Sequence, residues 1–454
     1  MSYNPNMTST EKRAIVALSS IMSMRMLGLF MIFPVFALYA QDLAGSTPIM
    51  VGLAIGIYGL TQASLQIPFG MLSDRFGRKR IIYIGLLLFC AGSIVAAMST
   101  TMTGIILGRA LQGCGAIAST VLALTADLSR EEHRTKAMAI LGMSIGASFL
   151  VSLLAGPLFY HWIGMSGIFW FTAIAALSGI VILHKMVPDT VRLKGNSGPI
   201  PEQFKRVLHD GQLLRLNFGI LVLHLSLTSL FVVFPLSLID SDLAAAQHWQ
   251  VYAPVLFISV IVMIPFVIIA EKYRRFKLIF VSAIGLLAVS QFTMGFLHQS
   301  LTALIITLFL FFTAMNLLES TLPSLISKIA PIESKGTAMG VYSSSQFFGA
   351  FLGGILGGWL HQHYSINAVF ILGGILSTMW FIFAFSMKSP PYLSSHILKI
   401  GQITPEQALT LSQSLANIEG VAEVLVITEE KVAYLKVDRK KLDTTALDQY
   451  SATA

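Results

Sequence analysis

The sequence is poor in charged residues and contains almost no cysteine. Asp, Glu, Lys and Arg make up only 11% of its 454 residues, whereas 55% are hydrophobic, and the mean hydropathy is +0.75. A soluble globular domain carries about 25% charged residues, so this composition excludes a fold whose whole surface faces water. The two cysteines, Cys90 and Cys114, lie in apolar stretches without metal-ligand or redox spacing. We therefore predict neither a disulfide nor a metal site.

The sequence also lacks a phosphate-binding loop of the form Gly-x-x-x-x-Gly-Lys-Ser/Thr. This absence argues against direct drive by ATP, and we expect neither enzymatic activity nor a cofactor. The 30 Lys and Arg against 22 Asp and Glu give a net charge of +8. Because the basic residues cluster in loops beside apolar stretches, we expect them to face anionic lipid. We do not expect nucleic acid as a partner.

Long apolar stretches are what the sequence has in abundance. A helix needs about 20 residues to cross a bilayer, and twelve stretches reach that length. They predict an all-α polytopic membrane protein with crossings at 14–40, 49–72, 80–99, 102–126, 137–160, 166–187, 215–239, 250–270, 277–297, 302–327, 337–360 and 366–387.

The loops between these crossings alternate in charge. If the N-terminus is cytoplasmic, the six loops on the far side of the membrane contain none of the 30 Lys and Arg. Cytoplasmic loops are enriched in these two residues. The sequence therefore predicts that both termini lie in the cytoplasm.

A polar stretch divides the crossings into two sets of six. This linker, residues 188–214, separates a six-helix bundle over 1–187 from a second bundle over 215–389. The acid-base-aromatic-x-base order of Asp74 to Arg78, after the second crossing, recurs at Glu271 to Arg275, after the eighth. Such a repeat is typical of transporters whose two parallel halves form a binding site between them near the midplane.

The composition changes again at residue 390, where the apolar stretches end. From there the pattern predicts a strand, a helix, two strands and a helix, at 396–401, 404–417, 421–428, 432–437 and 442–450. This order over 390–454 resembles a ferredoxin-like domain of the heavy-metal-associated and regulatory kind. The tail contains no cysteine and only one histidine, His396, so we expect no metal in it.

The role of this cytoplasmic tail has two interpretations. An unpaired strand edge pairs readily with another chain, which predicts that the tail binds a regulator or self-associates. Alternatively, it only covers the cytoplasmic face of the bundle.

The loop between the second and third crossings reads Gly70-Met71-Leu72-Ser73-Asp74-Arg75-Phe76-Gly77-Arg78-Lys79-Arg80. It resembles the cytoplasmic signature of the major facilitator superfamily, Gly-x-Leu-x-Asp-Arg-x-Gly-Arg-Lys. The resemblance implies a transporter that rocks two six-helix bundles to open alternately to either side of the membrane. The whole chain resembles bacterial inner-membrane transporters of this superfamily that carry a ferredoxin-like tail.

The same resemblance implies a conformational latch at this loop. Its residues are Gly70, Asp74, Arg75, Gly77, Arg78 and, at the end of the fourth crossing, Asp127. Asp74 would accept hydrogen bonds from the start of the eleventh crossing, at Ser334, Lys335 and Gly336, where the helix dipole favours a carboxylate. The alternative is that the basic residues of the loop only fix the topology.

Two further motifs resemble the drug/proton antiporter branch of the superfamily. Arg109 and Gln112 in the fourth crossing resemble its Arg-x-x-Gln-Gly pattern. Residues of the fifth crossing that resemble its glycine-rich motif, and for which hinge and packing roles are expected, are Gly142, Gly146, Gly156 and Pro157. The match ends there, because Leu158, Phe159 and Tyr160 follow where further glycines are usual.

Three charged side chains, Arg25, Arg109 and Glu319, lie well inside predicted crossings. A charge in mid-membrane costs about 2.5–3.5 kcal/mol, so each needs a reason. The resemblance places all three on crossings that line the cavity, and we predict proton coupling through Glu319 with Arg25 and Arg109. The alternative is a static ion pair between Glu319 and one arginine.

Other polar side chains extend this predicted cavity. His224 lies in the seventh crossing, and Asn316 lies one turn before Glu319. The predicted substrate cavity thus comprises Arg25, Arg109, Gln112, His224, Asn316 and Glu319. For His224, Gln112 and Asn316, packing and interhelical hydrogen bonds are the alternative.

These features predict a secondary active transporter of the bacterial inner membrane that exports a small or amphipathic compound in exchange for protons. Two alternatives stay open. One is proton symport of a sugar or organic anion, with Arg25 and Arg109 as counter-charges. The other is a membrane sensor that binds a ligand and signals through its tail.

Overall fold

The computed structural model consists of long helices followed by a small sheet domain. It describes residues 7–189, 200–273, 275–331, 334–387, 394–428, 432–438, 441–443, 446–447 and 449–450. The helices are α1 Ser9–Phe30, α2 Phe33–Tyr39, α3 Pro48–Phe76, α4 Arg78–Met98, α5 Met102–Cys114, α6 Ala118–Asp127, α7 Glu131–Met186, α8 Ile200–His209, α9 Gly211–Asp240, α10 Trp249–Lys272, α11 Phe276–Leu297, α12 Leu301–Ile329, α13 Lys335–His363, α14 Ile366–Phe385 and α15 Pro405–Ala416. The strands are β1 Ser394–Lys399, β2 Val421–Ile427 and β3 Val432–Val437.

The predicted fold class, an all-α membrane protein with a small α+β domain, is confirmed. Ten segments of the described chain are long and apolar enough to cross a membrane. One of them, Lys136–Met186, accounts for two crossings because it bends at Gly164. The less apolar α13 packs against α3 and α9 and supplies the remaining crossing.

Two crossings that we predicted as continuous helices are interrupted. The first ends at Phe30 and resumes as α2 at Phe33. Pro34 causes this break, because it has no N–H to donate to the carbonyl four residues earlier. The fourth crossing breaks between α5 and α6, around Gly115.

The fifth and sixth crossings meet at a tight turn within the predicted junction, 161–165. Two helices of α7 join at Gly164, whose φ of +67° and ψ of −178° are not helical. Glycine adopts this left-handed φ without the steric cost of a side chain.

The linker contains a helix that we did not predict. Within the described part of 188–214, α8 packs against α9 and α13, and Val207 is buried there. Residues 190–199 of the linker lie outside the described residues.

The two faces of the helical bundle differ in charge. We call one the basic face; α1 begins and α3 ends there, and it carries residues such as Arg75, Lys79 and Arg130. At the other end, which we call the opposite face, the loops 40–47, 99–101, 241–248, 298–300 and 364–365 contain no Lys or Arg. The alternation that the sequence predicts is thus present in space.

Helices α3 and α13 join the two halves of the bundle near the opposite face. A Cβ atom on Gly52 would lie 2.0 Å from the carbonyl oxygen of Gly354, and one on Gly358 would lie 2.3 Å from that of Pro48. The amide of Ile49 donates to Oε1 of Gln362 at 3.2 Å. Since a side chain larger than hydrogen does not fit, the two backbones touch only because these positions are glycine.

Toward the basic face the same two helices separate. Ser344 donates to the carbonyl of Ala63 at 3.2 Å. Closer to the basic face, a Cβ atom on Gly340 would lie 4.0 Å from Ile67, and one on Gly336 would have no neighbour within 4 Å. The close backbone contacts between α3 and α13 therefore lie toward the opposite face.

The tail domain follows the predicted order over its first four elements. Its antiparallel sheet has the strand order β1-β3-β2. Thr404 begins α15 with a capping box that it forms with Gln407. Leu398, Leu415 and Leu435 contribute to its core. The final helix predicted at 442–450 lies partly outside the described residues.

The glycine contact between α3 and α13 predicts the effect of a larger residue. Gly354→Val places side-chain atoms against the backbone of Gly52, so it is expected to destabilise the protein by about 1–3 kcal/mol. A thermal unfolding midpoint in detergent measures this loss. Gly340→Ala, on the same helix but where a Cβ meets only ordinary contacts, is the control. Equal midpoints for the two variants would contradict the close packing of α3 on α13.

Candidate functional site

A polar cluster in the C-terminal half brings together α9, α12 and α13. Nε2 of Gln346 lies 2.8 Å from Nε2 of His224 and donates to Oε1 of Glu319 at 3.3 Å. The distance from His224 Nε2 to Glu319 Oε2 is 3.9 Å. Gln346 thus links the histidine to the carboxylate.

The two ionisable groups of this cluster differ in exposure. The side chain of Glu319 is 42% exposed, whereas that of His224 is 9% exposed. The carboxylate is therefore exposed in part, but its Oε2 is buried beside His224 and has no hydrogen-bond partner among the described residues.

The helix that carries Glu319 is weakened at this position. Pro323 follows Glu319 by four residues within α12, and it offers no N–H to the Glu319 carbonyl. One turn earlier, Asn316 donates to Oγ of Ser259 on α10 at 3.0 Å. Asn316 thus makes the interhelical hydrogen bond that we gave as the alternative to substrate contact.

A second polar cluster fills the interior of the N-terminal half, around Arg25. The side chain of Arg25 is buried, and its Nη2 donates to the hydroxyl of Tyr58 at 2.7 Å and to Oε1 of Gln62. Gln62 in turn donates to Oε1 of Gln66 at 2.7 Å. The Phe89 ring centroid lies 5.7 Å from the guanidinium carbon, within cation–π range.

Arg109 lies on the same tyrosine. Its guanidinium carbon is 5.1 Å from the centroid of the Tyr58 ring. Nη1 donates to Oε1 of Gln112 at 2.9 Å, and Gln112 donates to Oγ of Ser93 at 2.7 Å. Helices α1, α3, α4 and α5 are thereby joined by one hydrogen-bonded network.

Neither buried arginine has a carboxylate partner within the described chain. Nε and Nη1 of Arg25 and Nη2 of Arg109 have no hydrogen-bond partner there. The ion pair between Glu319 and an arginine, which we gave as an alternative, is absent from this arrangement. Both arginines are also enclosed, with at most 1% of their surface exposed, whereas Glu319 is exposed in part.

The sequence analysis did not predict six uncharged polar residues of these clusters: Tyr58, Gln62, Gln66, Ser93, Ser259 and Gln346. Each lies in an apolar helix, and none carries a charge that would mark it in the sequence. The spacing of Gln62 and Gln66, one turn apart on α3, was a signal that could have been used, because amides on one helix face in a membrane seek partners.

The predicted latch loop is ordered at the basic face. Gly77 separates α3 from α4 with a φ of +101°, which favours glycine. Arg78 pairs with Asp74 and, at 3.1 Å, with Asp127, and it donates to Oγ of Ser73 at 2.7 Å. The side chain of Asp74 is 61% exposed. Asp74 is therefore paired with Arg78 in this state.

The other residues of the predicted latch and hinge set lie outside these two polar clusters. Arg75 lies over the ring of Phe76 at 5.5 Å, and a Cβ atom on Gly70 would lie 3.4 Å from Ser119. Of the fifth-crossing residues, Gly156 packs closely, because its Cβ would lie 2.4 Å from the carbonyl oxygen of Met31 at the α1–α2 break.

The remaining fifth-crossing positions have open surroundings. A Cβ atom on Gly142 or Gly146 would meet no atom within 4 Å. Pro157 lies inside α7 without ending it. The close packing that we expected of this motif is therefore found at Gly156 and not at Gly142 or Gly146.

Comparison with known proteins gives two family matches. The model of the Major Facilitator Superfamily matches residues 18–283 and 216–413. The model of the YajR YAM domain matches residues 403–450. The first covers both halves of the helical bundle, and the second covers most of the tail.

Individual proteins agree with these matches. The chain is 46% identical to the inner membrane transport protein YajR of Escherichia coli (strain K12), over 98% of each chain. It is 26% identical to the multidrug resistance protein MdtH of Proteus mirabilis (strain HI4320), over 74% of this chain and 84% of that protein. Among solved structures, an inward-facing, occupied bacterial homologue of the human lysosomal transporter Spinster matches with a TM-score of 0.69 at 14% identity, over 84% of this chain and 97% of that one. That likeness concerns the fold alone.

The Tyr58 network predicts a loss of stability on removal of one hydroxyl group. Tyr58→Phe deletes the acceptor of Arg25 but keeps the ring against Arg109, and it is expected to lower the free energy of unfolding by about 1.5–3 kcal/mol. Tyr39→Phe is the matched control, because the Tyr39 hydroxyl makes no hydrogen bond in the described part of the chain. Thermal midpoints of the purified variants measure the difference. An unchanged midpoint for Tyr58→Phe would show that Arg25 does not depend on this bond.

Proposed function

Because the chain belongs to the major facilitator superfamily, and is thus a transporter and not an enzyme, we propose that it exchanges a small or amphipathic compound for protons, with Glu319 as the proton carrier. The observation that carries this proposal is the position of the Glu319 carboxylate. It is half-exposed, its buried Oε2 has no hydrogen-bond partner among the described residues, and no arginine of those residues is paired with it.

The chemistry of a carboxylate at this place suits exchange. Burying an unpaired charge as the halves close is costly, and protonation removes the charge of Glu319. A substrate that neutralises or screens the carboxylate would remove the same cost. Proton and substrate therefore compete for one group, and each supports closure and reopening toward the other side.

The direction of transport follows from the orientation of the basic face. Lys and Arg favour the cytoplasmic side of a membrane, so the basic face is cytoplasmic in this proposal, with both termini. The protein then lies in a bacterial inner membrane, as the name of its Escherichia coli relative says of that protein. In this proposal the state with α3 and α13 in close contact at the opposite face is open to the cytoplasm and takes up the exported compound.

The latch loop belongs to the other state of the cycle. When the basic face closes, the inner ends of α3 and α13 approach each other. The N-terminus of α13 favours a carboxylate by about 0.3–1 kcal/mol, and by up to about 2 kcal/mol when partly buried. Asp74 is the carboxylate that would reach it, and Arg78 with Asp127 would keep the loop in position.

One observation favours a second candidate, the transport of an organic anion. Arg25 and Arg109 have no carboxylate partner in the described chain, and three of their nitrogens lack acceptors. An anionic substrate would supply both the negative charge and the hydrogen-bond acceptors that these two arginines lack. Against this, both guanidinium groups are enclosed by Tyr58 and its neighbours, so the network would have to open before an anion could enter.

Glu319→Gln tests the leading proposal. In inside-out membrane vesicles that hold a proton gradient, a transported compound from a panel of dyes, drugs and organic anions is expected to dissipate the gradient with the parent protein. The variant is expected to lose this response, because an amide does not carry a proton. Asp42→Asn, the same change at an exposed carboxylate of the opposite face, is the control. Full activity of Glu319→Gln would exclude Glu319 as the carrier.

Asp74→Asn tests the latch separately from the proton carrier. The amide weakens the interaction with the α13 dipole in the state closed at the basic face, so the transport rate is expected to fall by about fivefold. Substrate affinity measured without a gradient is expected to stay unchanged, because Asp74 lies away from Glu319. A transport rate equal to that of the parent would favour a purely topological role for the loop.

A further inference from the structure

A buried lysine of the tail domain contacts the helical bundle. Lys436 lies on β3, the central strand of the tail sheet, and only 5% of its surface is exposed. Its ammonium group donates to the carbonyl oxygen of Ala330 at 2.7 Å and to that of Lys328 at 3.2 Å. Both carbonyls belong to the end of α12, where Ala330 is the C-terminal cap residue.

A helix end of this kind attracts a cation. The last carbonyls of a helix have no partner within it, and the helix dipole makes that end negative. Other helices that end at the basic face receive such a cation from the bundle. Arg13 and Lys79 donate to carbonyls at the end of α7, and Arg215 donates to Ser386 after α14. For α12, the cation comes from the tail.

The tail holds this lysine in position from its own side. Glu423 is the partner of Lys436 across β2 and β3, and its Oε1 accepts from the ammonium at 3.1 Å. The charge is thus partly neutralised within the tail, and its direction is fixed by the sheet. Lys436 thus forms a buried, hydrogen-bonded contact between the tail and the bundle.

The segment of α12 that the tail holds follows directly on the candidate site. Lys328 and Ala330 come after Pro323, and Glu319 comes four residues before it. Since Pro323 removes a backbone hydrogen bond at this point, the part of α12 beyond it can tilt relative to the part that carries Glu319 and Asn316.

We propose that the tail restrains the inner end of α12 through Lys436 and thereby stabilises the state that is open at the basic face. Release of Lys436 frees the segment beyond Pro323, and the bundle then closes more readily at that face. The tail is thus a regulatory domain whose binding surface is the carbonyl end of α12. This inference uses the proposed function only in its two-state cycle and does not depend on Glu319 as a proton carrier.

Distances between spin labels in the full chain test the proposal. In a background without Cys90 and Cys114, one label pair joins Gln413 on α15 to Tyr273 after α10, and a second joins Phe76 to Tyr273 across the two halves. All three positions are exposed. The samples contain no substrate and no proton gradient, so the outcome is independent of the coupling mechanism.

Lys436→Met is expected to change both distances. The ratio of docked to undocked tails, read from the first pair, should fall about tenfold, as expected for the loss of hydrogen bonds to a charged group. The second pair should shift toward shorter distances. Glu423→Gln loosens the same contact without removing the lysine and should give a smaller change in the same direction, whereas Lys436→Arg, which keeps the donors, should resemble the parent. Lys441→Met, at an exposed lysine of the tail, is the matched control and should change neither distance.

Two results would overturn the proposal. If the tail is released but the distance across the halves is unchanged, the tail only covers the basic face. If Lys436→Met and Glu423→Gln both leave the tail docked, Lys436 does not hold it. Either result leaves the proton-exchange proposal intact.

Discussion

The cost of a charge inside a bilayer governs the arrangement of this molecule. No water is available there to solvate an ion, so each guanidinium or carboxylate group must find protein partners or reach an aqueous space. The N-terminal half uses the first solution and encloses Arg25 and Arg109 around Tyr58 and several amides. The C-terminal half uses the second and leaves Glu319 half-exposed.

This asymmetry gives the two halves different mechanical properties. In the N-terminal half, hydrogen bonds join α1, α3, α4 and α5 into one network, which favours motion as a rigid body. In the C-terminal half, the site lies beside Pro323, where α12 lacks a backbone hydrogen bond, and the end of that helix is held by the tail. The N-terminal half is thus suited to rigid-body rocking, and the C-terminal half is suited to local bending of α12.

The sequence predicted the crossings and the tail because both follow from simple patterns. A run of apolar residues has few alternatives to a membrane helix, and the alternation in β2 and β3 fixes the strands. The breaks at Met31 and around Gly115, and the tight turn at Gly164, depend on local backbone geometry that hydropathy does not encode. The Glu319 cluster was predicted only in part, because Gln346 lies far along the chain and nothing in its local sequence indicates a partner on α9. That Arg25 and Arg109 lack an acidic partner follows from three-dimensional packing alone.

The glycine-rich character of α13 has a consequence for the synthesis of the protein. Backbone contact with α3 requires glycine at positions such as 354 and 358, and these residues make α13 less apolar than the ten segments that qualify as membrane helices by themselves. A segment of low hydropathy partitions weakly from the translocon into lipid. Insertion of α13 therefore relies on its neighbours α12 and α14. Its glycine face is buried only after α3, which is synthesised much earlier, has packed against it. The close joint between the halves is thus formed late in biogenesis.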